Sequence, residues 1–530
     1  MNIYDYLKKM SITTCALLIL VACGSEENND TTTVPKGMTA FTVSNLANSD
    51  ARTSGVYGTS RIDFYWSTGD NIWINTSSTT TANYVTTTSN SITTSGTLTS
   101  ANFYLQGQYS GSSYPVRYTG NASTSADVVT ISSSQTQVEA NNAAQMGEVG
   151  DCGVGTAVLN TSGTYDVTLA HKASYLTFIP YYSTEELASS VVLTNITVTA
   201  GTDDVLAGTY AFTDAGLGTA SNTSNTVTLN LVDASSTTGF NIPTSATAAT
   251  NAAMMVVAPG TYSTFKIEYA LYDATTGFSG TVTRTYSNII LNEGRNNKIA
   301  VNLSMNNYSD YADDYYMWDA VDNYWKGYES SQPTLTNGSS SNYPQSSTDS
   351  RWFNTSFTGT TPTMASRSCQ NAPTYEALTW YVSTAASPAV DNTTLWTYKN
   401  HLYTGGMWLK KSSAISGFSS SSNASGSQAW STGYDNSYSI SISGKPSDAT
   451  DYFFLPALGQ YVNGVLSGVG KRGYYWSSSP NPYNSLDIGG ETGKVISAAC
   501  LRFATDASSG NVYVRAYYER NVGMQVYTFE

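Results

Sequence analysis

Short segments in which apolar and polar residues alternate recur along this chain. Examples lie at residues 62–66, 165–169 and 265–271, and clusters of Gly, Ser and Asn separate such segments. A period of two is typical of β-strands that bury one face. The pattern therefore predicts a mainly β chain built from sandwiches. Two short helices are also expected: one at 183–186, where Ser-Thr-Glu-Glu fits a capping box, and one that starts at Pro373.

The composition agrees with strands and limits the classes of partner. The chain has 530 residues, enough for about three domains of ~150 residues each. It contains 40 Tyr and only 12% charged residues, and aromatic enrichment with few charges favours strands over helices. The net charge is −14, and we find no basic cluster. This balance argues against nucleic acid or an anionic membrane surface as a partner.

The N-terminus has the pattern of an export signal. Lys8 and Lys9 precede an uncharged stretch at 10–22, which ends in Leu-Val-Ala before Cys23. A basic region, an apolar run and small residues form a secretory signal, and the run is shorter than the ~20 residues that span a bilayer. A Cys at this position resembles bacterial lipoprotein signals. We expect lipidation at Cys23; the alternative is an ordinary signal peptide with a coincidental Cys.

Changes in composition predict six segments. Residues 1–23 are the signal peptide and 24–37 a polar linker. Two β domains follow, at 38–172 and 173–305. An aromatic and acidic connecting segment occupies 306–350, and a C-terminal domain occupies 351–530.

The first two β domains resemble a known family. Four motifs carry the likeness, and they are Ile62-Asp-Phe-Tyr-Trp-Ser-Thr-Gly-Asp-Asn-Ile-Trp-Ile74, Gly150-Asp-Cys-Gly153, His171-Lys-Ala-Ser-Tyr-Leu-Thr-Phe178 and Val257-Ala-Pro-Gly260. Their order and spacing resemble fimbrillin-like lipoproteins, the pilins of Bacteroidales type V pili. The resemblance implies two transthyretin-like β-sandwich domains.

The C-terminal part resembles a different module. Trp318-Asp-Ala-Val321, Arg351-Trp-Phe-Asn354 and Gly473-Tyr-Tyr-Trp-Ser-Ser-Ser479 are similar to the C-terminal module of some Bacteroidales fimbrial tip or surface lipoproteins. This implies an α+β fold of the C-type-lectin-like kind. The family pattern ends in a Cys that this chain lacks. A disulfide between Cys369 and Cys500 therefore stays open, with buried thiols as the alternative.

The pilin resemblance implies a processing site. Family pilins are cut after an Arg in the first loop, which releases the first strand, and a strand of another subunit fills the groove by β-augmentation. Arg52 and Thr53 fit this cut, because they follow a predicted first strand at 39–46 and lie in a polar segment. Arg61 is the competing cleavage site. The alternative to cleavage is that Arg52 is only a solvated loop residue.

The C-terminal domain implies a terminal position in the polymer. The predicted strand at 299–303, which would act as donor in a shaft pilin, runs on into more than two hundred further residues. A strand held between two folded domains cannot easily swing out. The expected partners are other pilin subunits, which bind through strand insertion. The precursor is also expected to be held at the outer membrane by its lipid, and the processed protein is expected to lie in the fimbrium.

Aromatic residues of the C-terminal domain are candidates for ligand binding. Aromatic faces stack on sugars, so host or bacterial glycans are expected ligands, with host or bacterial proteins as a second class of partner. The alternative is that the rings belong to the core. The candidates are Trp396, Trp408, Tyr474, Tyr475 and Trp476. The Asp cluster at 310–322 lacks the spacing of an EF-hand, so a solvated linker is the preferred interpretation over a Ca²⁺ site.

Signatures of catalysis are missing from the sequence. The two histidines, His171 and His401, lie in different blocks, and no metal-ligand spacing or nucleophile elbow is present. We therefore expect no enzyme, no catalytic residue, no metal and no cofactor. Two hypotheses remain: a fimbrial tip or minor subunit, or a permanently anchored cell-surface lipoprotein that binds glycans.

Overall fold

The computed structural model describes most of the chain. The described residues are 34–44, 54–58, 62–96, 98–232, 239–355, 357–358, 361–425, 436–440, 444–481, 497–506 and 510–530. Strands dominate them, so the mainly β prediction is confirmed. The transthyretin-like and lectin-like folds and the domain boundaries stay predictions.

An eight-stranded sheet, here called the N-terminal sheet, contains the start of the described chain. The strands up to residue 171 are β1 (Met38–Val43), β2 (Ser54–Tyr57), β3 (Ile62–Tyr65), β4 (Trp73–Asn75), β5 (Tyr84–Thr86), β6 (Ser89–Asn90), β7 (Ala101–Gln106), β8 (Ser113–Tyr118), β9 (Val128–Ile131), β10 (Ser134–Gln137), β11 (Gly153–Leu159) and β12 (Tyr165–His171). The sheet order is β5-β4-β8-β11-β12-β1-β7-β6. All neighbours are antiparallel except β1 and β12, which are parallel. Its apolar cluster includes Phe41, Trp66 and Phe103, which are completely buried.

The middle region is a second set of sheets with its own core. Its strands are β13 (Ser174–Tyr181), β14 (Val191–Ala200), β15 (Ala207–Thr213), β16 (Gly216–Ser224), β17 (Thr226–Leu231), β18 (Phe240–Asn241), β19 (Ala253–Val257), β20 (Gly260–Asp273), β21 (Ser279–Leu291) and β22 (Asn296–Asn302). The sheets have the orders β10-β17-β14-β20-β21, β19-β13-β22 and β16-β15-β9. Strands β9 and β10 thus pair with the middle region, although they precede β11 in the chain. Two one-turn helices, α1 (Met146–Val149) and α2 (Ala248–Asn251), complete this part.

The C-terminal region has two larger sheets. Its strands are β23 (Asn306–Asn307), β24 (Tyr315–Tyr316), β25 (Phe357–Thr358), β26 (Thr361–Pro362), β27 (Ala389–Tyr398), β28 (His401–Lys410), β29 (Asn436–Ile440), β30 (Tyr452–Pro456), β31 (Leu458–Val462), β32 (Val465–Val469), β33 (Arg472–Pro480), β34 (Ser497–Ala504), β35 (Gly510–Glu519) and β36 (Met524–Gln525). The sheet orders are β23-β27-β28-β30 and β24-β36-β33-β34-β35-β29. Helix α3 (Tyr375–Tyr381) packs against the second sheet.

The two short helices predicted from the sequence have different outcomes. The helix after Pro373 is confirmed as α3, and the Thr374 side chain accepts a hydrogen bond from the Ala377 N–H as its N-cap. The capping-box helix at 183–186 is wrong, because the chain makes bends there. Two side chains of this segment bond elsewhere: the Ser183 hydroxyl accepts from Asn302, and the Glu185 carboxylate accepts from Ser309.

Candidate functional site

Strand β1 is an interior strand of the N-terminal sheet. It pairs antiparallel with β7 over six positions, from Met38 opposite Gln106 to Val43 opposite Ala101. On its other side it runs parallel to β12, with Phe41 opposite Tyr165. Both backbone edges of β1 are therefore used, and the strand joins two parts of the sheet that have no other ladder between them in the described residues.

The core-facing side of β1 is apolar and tightly packed. Phe41 is completely buried, and its ring stacks on Tyr165 with centroids 4.9 Å apart at an angle of 17°. The rings of Tyr109 and Tyr114 meet it edge-on, at 6.3 and 6.4 Å. These three tyrosines are called the Phe41 pocket. Aromatic pairs in such arrangements are worth about 0.5–1.5 kcal/mol beyond the burial of their area.

Hydrogen bonds fix the register of β1 at both ends. The Gly37 carbonyl accepts from the Gly107 N–H at 2.9 Å, and the Ser44 N–H donates to the Val167 carbonyl at 3.3 Å. Gly37 has a φ of +81°, which suits the turn that brings the chain into the strand. A shift by one residue would turn Phe41 away from its pocket, so the register is strongly specified.

The chain leaves the N-terminal sheet after β1. Among the described residues, the next strand is β2, which pairs only with β3, and this hairpin packs into the core of the middle region through Tyr57, Ile62 and Phe64. The predicted first strand at 39–46 is observed at Met38–Val43. The predicted processing residues Arg52 and Thr53, the alternative Arg61 and the lipid site Cys23 lie outside the described residues.

Close contacts connect the middle region to the C-terminal region. The turn between β20 and β21 reaches across: the Thr276 hydroxyl donates to the Leu402 carbonyl at 2.9 Å, and the Phe278 ring lies 5.4 Å from that of Tyr403. Gly470 lies beneath Phe278, so close that an added Cβ would be 2.2 Å from the ring. This set of contacts is called the C-terminal joint.

A buried carboxylate anchors the same joint. Asp273 is 0% exposed; one oxygen accepts from His401 Nδ1 at 2.9 Å and from the Leu402 N–H at 3.1 Å. The other accepts from the Ser190 hydroxyl and the Thr275 N–H. Burial alone would raise the pKa of Asp273, but these hydrogen bonds outweigh it and hold the pKa well below its usual range.

The strand that would act as donor in a shaft pilin leads directly into this joint. Strand β22 pairs with β13, and the Leu303 N–H donates to the Tyr181 carbonyl at 2.8 Å. Arg284 donates to the carbonyls of Asn302 and Leu303. The chain then enters β23, which pairs with β27 of the C-terminal region. The end of β22 is thus tied on both sides.

All five predicted ligand-binding aromatics lie in the interior. Their exposed fractions are 0% for Trp396, 8% for Trp408, 5% for Tyr474, 0% for Tyr475 and 0% for Trp476. Their polar atoms serve the fold, since the indole N–H of Trp396 donates to the Gly405 carbonyl and that of Trp408 to Asp391. Buried rings offer no face to a sugar. The five residues are therefore core residues, which is the alternative that the sequence left open, and not ligand-binding residues.

Cys369 is a buried thiol and not half of a disulfide. Its sulfur accepts a hydrogen bond from the Asp319 N–H at 3.2 Å. Burial raises the pKa of Cys369 to about 12. Asp319, from the acidic segment, is itself buried and accepts from the N–H groups of Ser366 and Arg367. Asp319 is therefore a buried part of the fold and does not lie in a solvated linker.

Two further observations concern metals and membranes. Within the described ranges, no group of three or more His, Cys, Asp or Glu side chains is placed to hold a metal ion. In the same part of the chain, no helix has the length and apolarity needed to cross a membrane.

Sequence reasoning missed the Phe41 pocket and the Asp273–His401 pair. Tyr109 and Tyr114 lie in a stretch rich in Gly and Ser. Two aromatic residues in such a stretch indicate that their rings pack against residues far away in the sequence. Asp273 and His401 are 128 positions apart, and no local pattern links them.

Comparisons with known proteins give only distant likenesses. No protein family and no curated protein matches the sequence. Among solved structures, a "putative cell adhesion protein" from Bacteroides ovatus is 11% identical, with a TM-score of 0.28, and covers 50% of this chain and 91% of its own. One so described from Bacteroides uniformis is 14% identical, with a TM-score of 0.27 and coverages of 51% and 94%. TM-scores below 0.5 do not show a shared fold, so these likenesses establish neither a family nor a function.

Proposed function

We propose that this chain is a tip or minor subunit of a fimbrium, exported as a lipoprotein through Cys23 and cut after Arg52 by an Arg-specific protease. Strand β1 then leaves, and a strand of another subunit takes its place. The observation that supports this most is the position of β1. It is an interior strand of the N-terminal sheet, and the chain that follows it crosses to another core.

Removal of β1 would leave a groove suited to a strand. Strands in a sheet are spaced about 4.8 Å apart, so β7 and β12 would face each other across about 10 Å. Both would expose unpaired N–H and C=O groups, and the Phe41 pocket would be open to water. Unpaired edges and exposed apolar surface are unfavourable, and an incoming strand relieves both.

The C-terminal joint supports a terminal position. For β22 to act as a donor, it would have to leave β13 and break the contacts of Leu303 and Arg284. It would also have to separate from a folded region held by Phe278 and Asp273. These contacts support a subunit that accepts a strand without donating one, as a subunit at one end of a polymer would.

An adhesive role belongs to the same proposal, without a site assigned to it. The five aromatics that carried the glycan hypothesis are core residues. No observation favours the alternative of a permanently anchored glycan-binding lipoprotein.

Proteolysis of the purified lipidated precursor tests the proposal. An Arg-specific protease should give one cut, between Arg52 and Thr53, in a chain that stays folded. Arg52→Lys should resist, because the charge is kept but the residue is not recognised, whereas the matched control Arg61→Lys should be cut like the parent. Mass spectrometry of the fragments reads out the site. A cut elsewhere, or unfolding on cleavage even with other subunits present, would contradict the proposal.

A further inference from the structure

The surroundings of β1 specify what can replace it. Phe41 fills a pocket made by Tyr109, Tyr114 and Tyr165, and the pocket is itself held in shape. The Tyr165 hydroxyl donates to the Gly111 carbonyl, and the Gly111 N–H donates to the Tyr114 hydroxyl. Because these bonds do not involve Phe41, they would hold the rings in place when β1 leaves.

The neighbouring positions add two size restrictions. Ala40 is 3% exposed and lies opposite Tyr104, which is 5% exposed, on the other face of the sheet, so a larger side chain has little free space there. Val43 lies between Ala101 and Val167 on the core side and is 3% exposed. A β-branched residue suits such a position on a buried pleated surface.

One position of β1 is less restricted. Thr42 is only half-buried, and its hydroxyl donates to the Asn102 side chain at 2.8 Å. A hydrogen bond of this kind contributes modestly. Position 42 therefore provides a control for any effect measured at Phe41.

Resting on the function proposed above, we infer that the groove selects its incoming strand by side chain. The partner is an extended segment of another polypeptide that runs parallel to β12. It carries a small residue at the Ala40 position, an aromatic ring at the Phe41 position and a β-branched residue at the Val43 position. Strands with an aliphatic residue or alanine in place of the ring are discriminated against.

The test uses the full chain with a site for a sequence-specific protease introduced between β1 and β2. This cut does not depend on Arg52. The cut protein is placed in urea below its unfolding transition, so that release of the resident strand is not limiting. A fluorescent peptide of residues 35–44 is then added, and its capture is followed by anisotropy.

The parent peptide should enter, and Phe41→Ala should weaken capture about a hundredfold or more, the loss typical of removing a buried Phe. Phe41→Leu should lie between them, roughly tenfold weaker, because much of the apolar volume is kept and the ring contacts are lost. Thr42→Ala is the matched truncation on the other face, with a loss of at most about tenfold.

The outcomes separate the two proposals. Equal capture of the parent and Phe41→Ala peptides would overturn the selection by side chain and leave strand replacement standing. Failure of the parent peptide to enter, at a hundredfold excess over the cut chain, would overturn both. Capture of a second copy's β1 with the same preference for the ring would support the selection.

Discussion

The ring of Phe278 packs onto Gly470 across the C-terminal joint, where a Cβ on the glycine would lie 2.2 Å from the ring. The first residue comes from the turn after β20, and the second from the turn between β32 and β33. This contact exists only because position 470 has no side chain. The packing of the middle region against the C-terminal region is therefore sensitive to a single added methyl group at position 470.

Gly470→Ala should therefore destabilise the joint in two ways. Its φ of +78° disfavours any residue with a Cβ by about 1–2 kcal/mol, and overlap with Phe278 should add about 1–3 kcal/mol. Gly277→Ala is the control, since its φ is +75° and nothing lies within 4 Å of an added Cβ. Urea unfolding of both variants measures the difference. Equal losses would mean that the ring moves aside freely.

Asp273→Asn should weaken the same joint and change its dependence on pH. The pKa of Asp273 is lowered in the folded state, so its contribution is fully present above its usual value of 3.8. That contribution is lost as the pH falls through the lower folded pKa. The free energy of unfolding of the parent and variant, measured from pH 7 to pH 2, should converge only below 3.8. Asp203→Asn, at an exposed position, is the control. A constant difference down to pH 2 would contradict this.

Cys369 should be unreactive in the folded protein. Its thiol is buried, and burial raises its pKa to about 12, so little thiolate forms at pH 8. Iodoacetamide should modify it only after unfolding in urea, and without any reductant. Peptide mapping by mass spectrometry checks this. A requirement for reductant would reveal the Cys369–Cys500 bridge that the sequence left open.

Tyr175→Phe should cost stability at the contact between the N-terminal sheet and the middle region. Asp151 is completely buried, and one of its oxygens accepts both the Tyr175 hydroxyl at 2.5 Å and His171 Nδ1 at 2.7 Å. Loss of a donor to a buried charge costs about 1.5–3 kcal/mol. Tyr286→Phe, at a partly exposed position, should change stability by less than about 0.5 kcal/mol. Thermal unfolding of both variants measures the two losses of stability. Equal losses would mean that the Tyr175 hydroxyl does not stabilise the fold.

Local patterns in the sequence predicted local structure well. The alternation at 265–271 lies within β20, and Pro373 precedes α3, because a strand face or a helix start depends on residues close in the chain. The capping pattern at 183–186 failed since Asn302 and Ser309, far along the chain, bond its side chains. Tertiary contacts of this kind have no local signature.

The candidate site was harder to predict than the strands. The segment around Phe41 reads as a strand, but its interior place follows from pairing with residues more than a hundred positions away. The five aromatics of the C-terminal region could be core or ligand-binding by type alone, and only burial separates the two. The type of a residue does not show whether its side chain packs inside the protein or lies on the surface.

The place of β1 also has a consequence for the order of events during synthesis. Among the described strands of its sheet it is the first to leave the ribosome, yet its parallel partner ends at residue 171. The two groups of strands on either side of it have no direct ladder in the described chain, so the sheet can close only after β12 has been made. Such distant pairing slows folding. The strand that is proposed to leave during assembly can thus pair with β7 early, but its other edge stays open until β12 has been made.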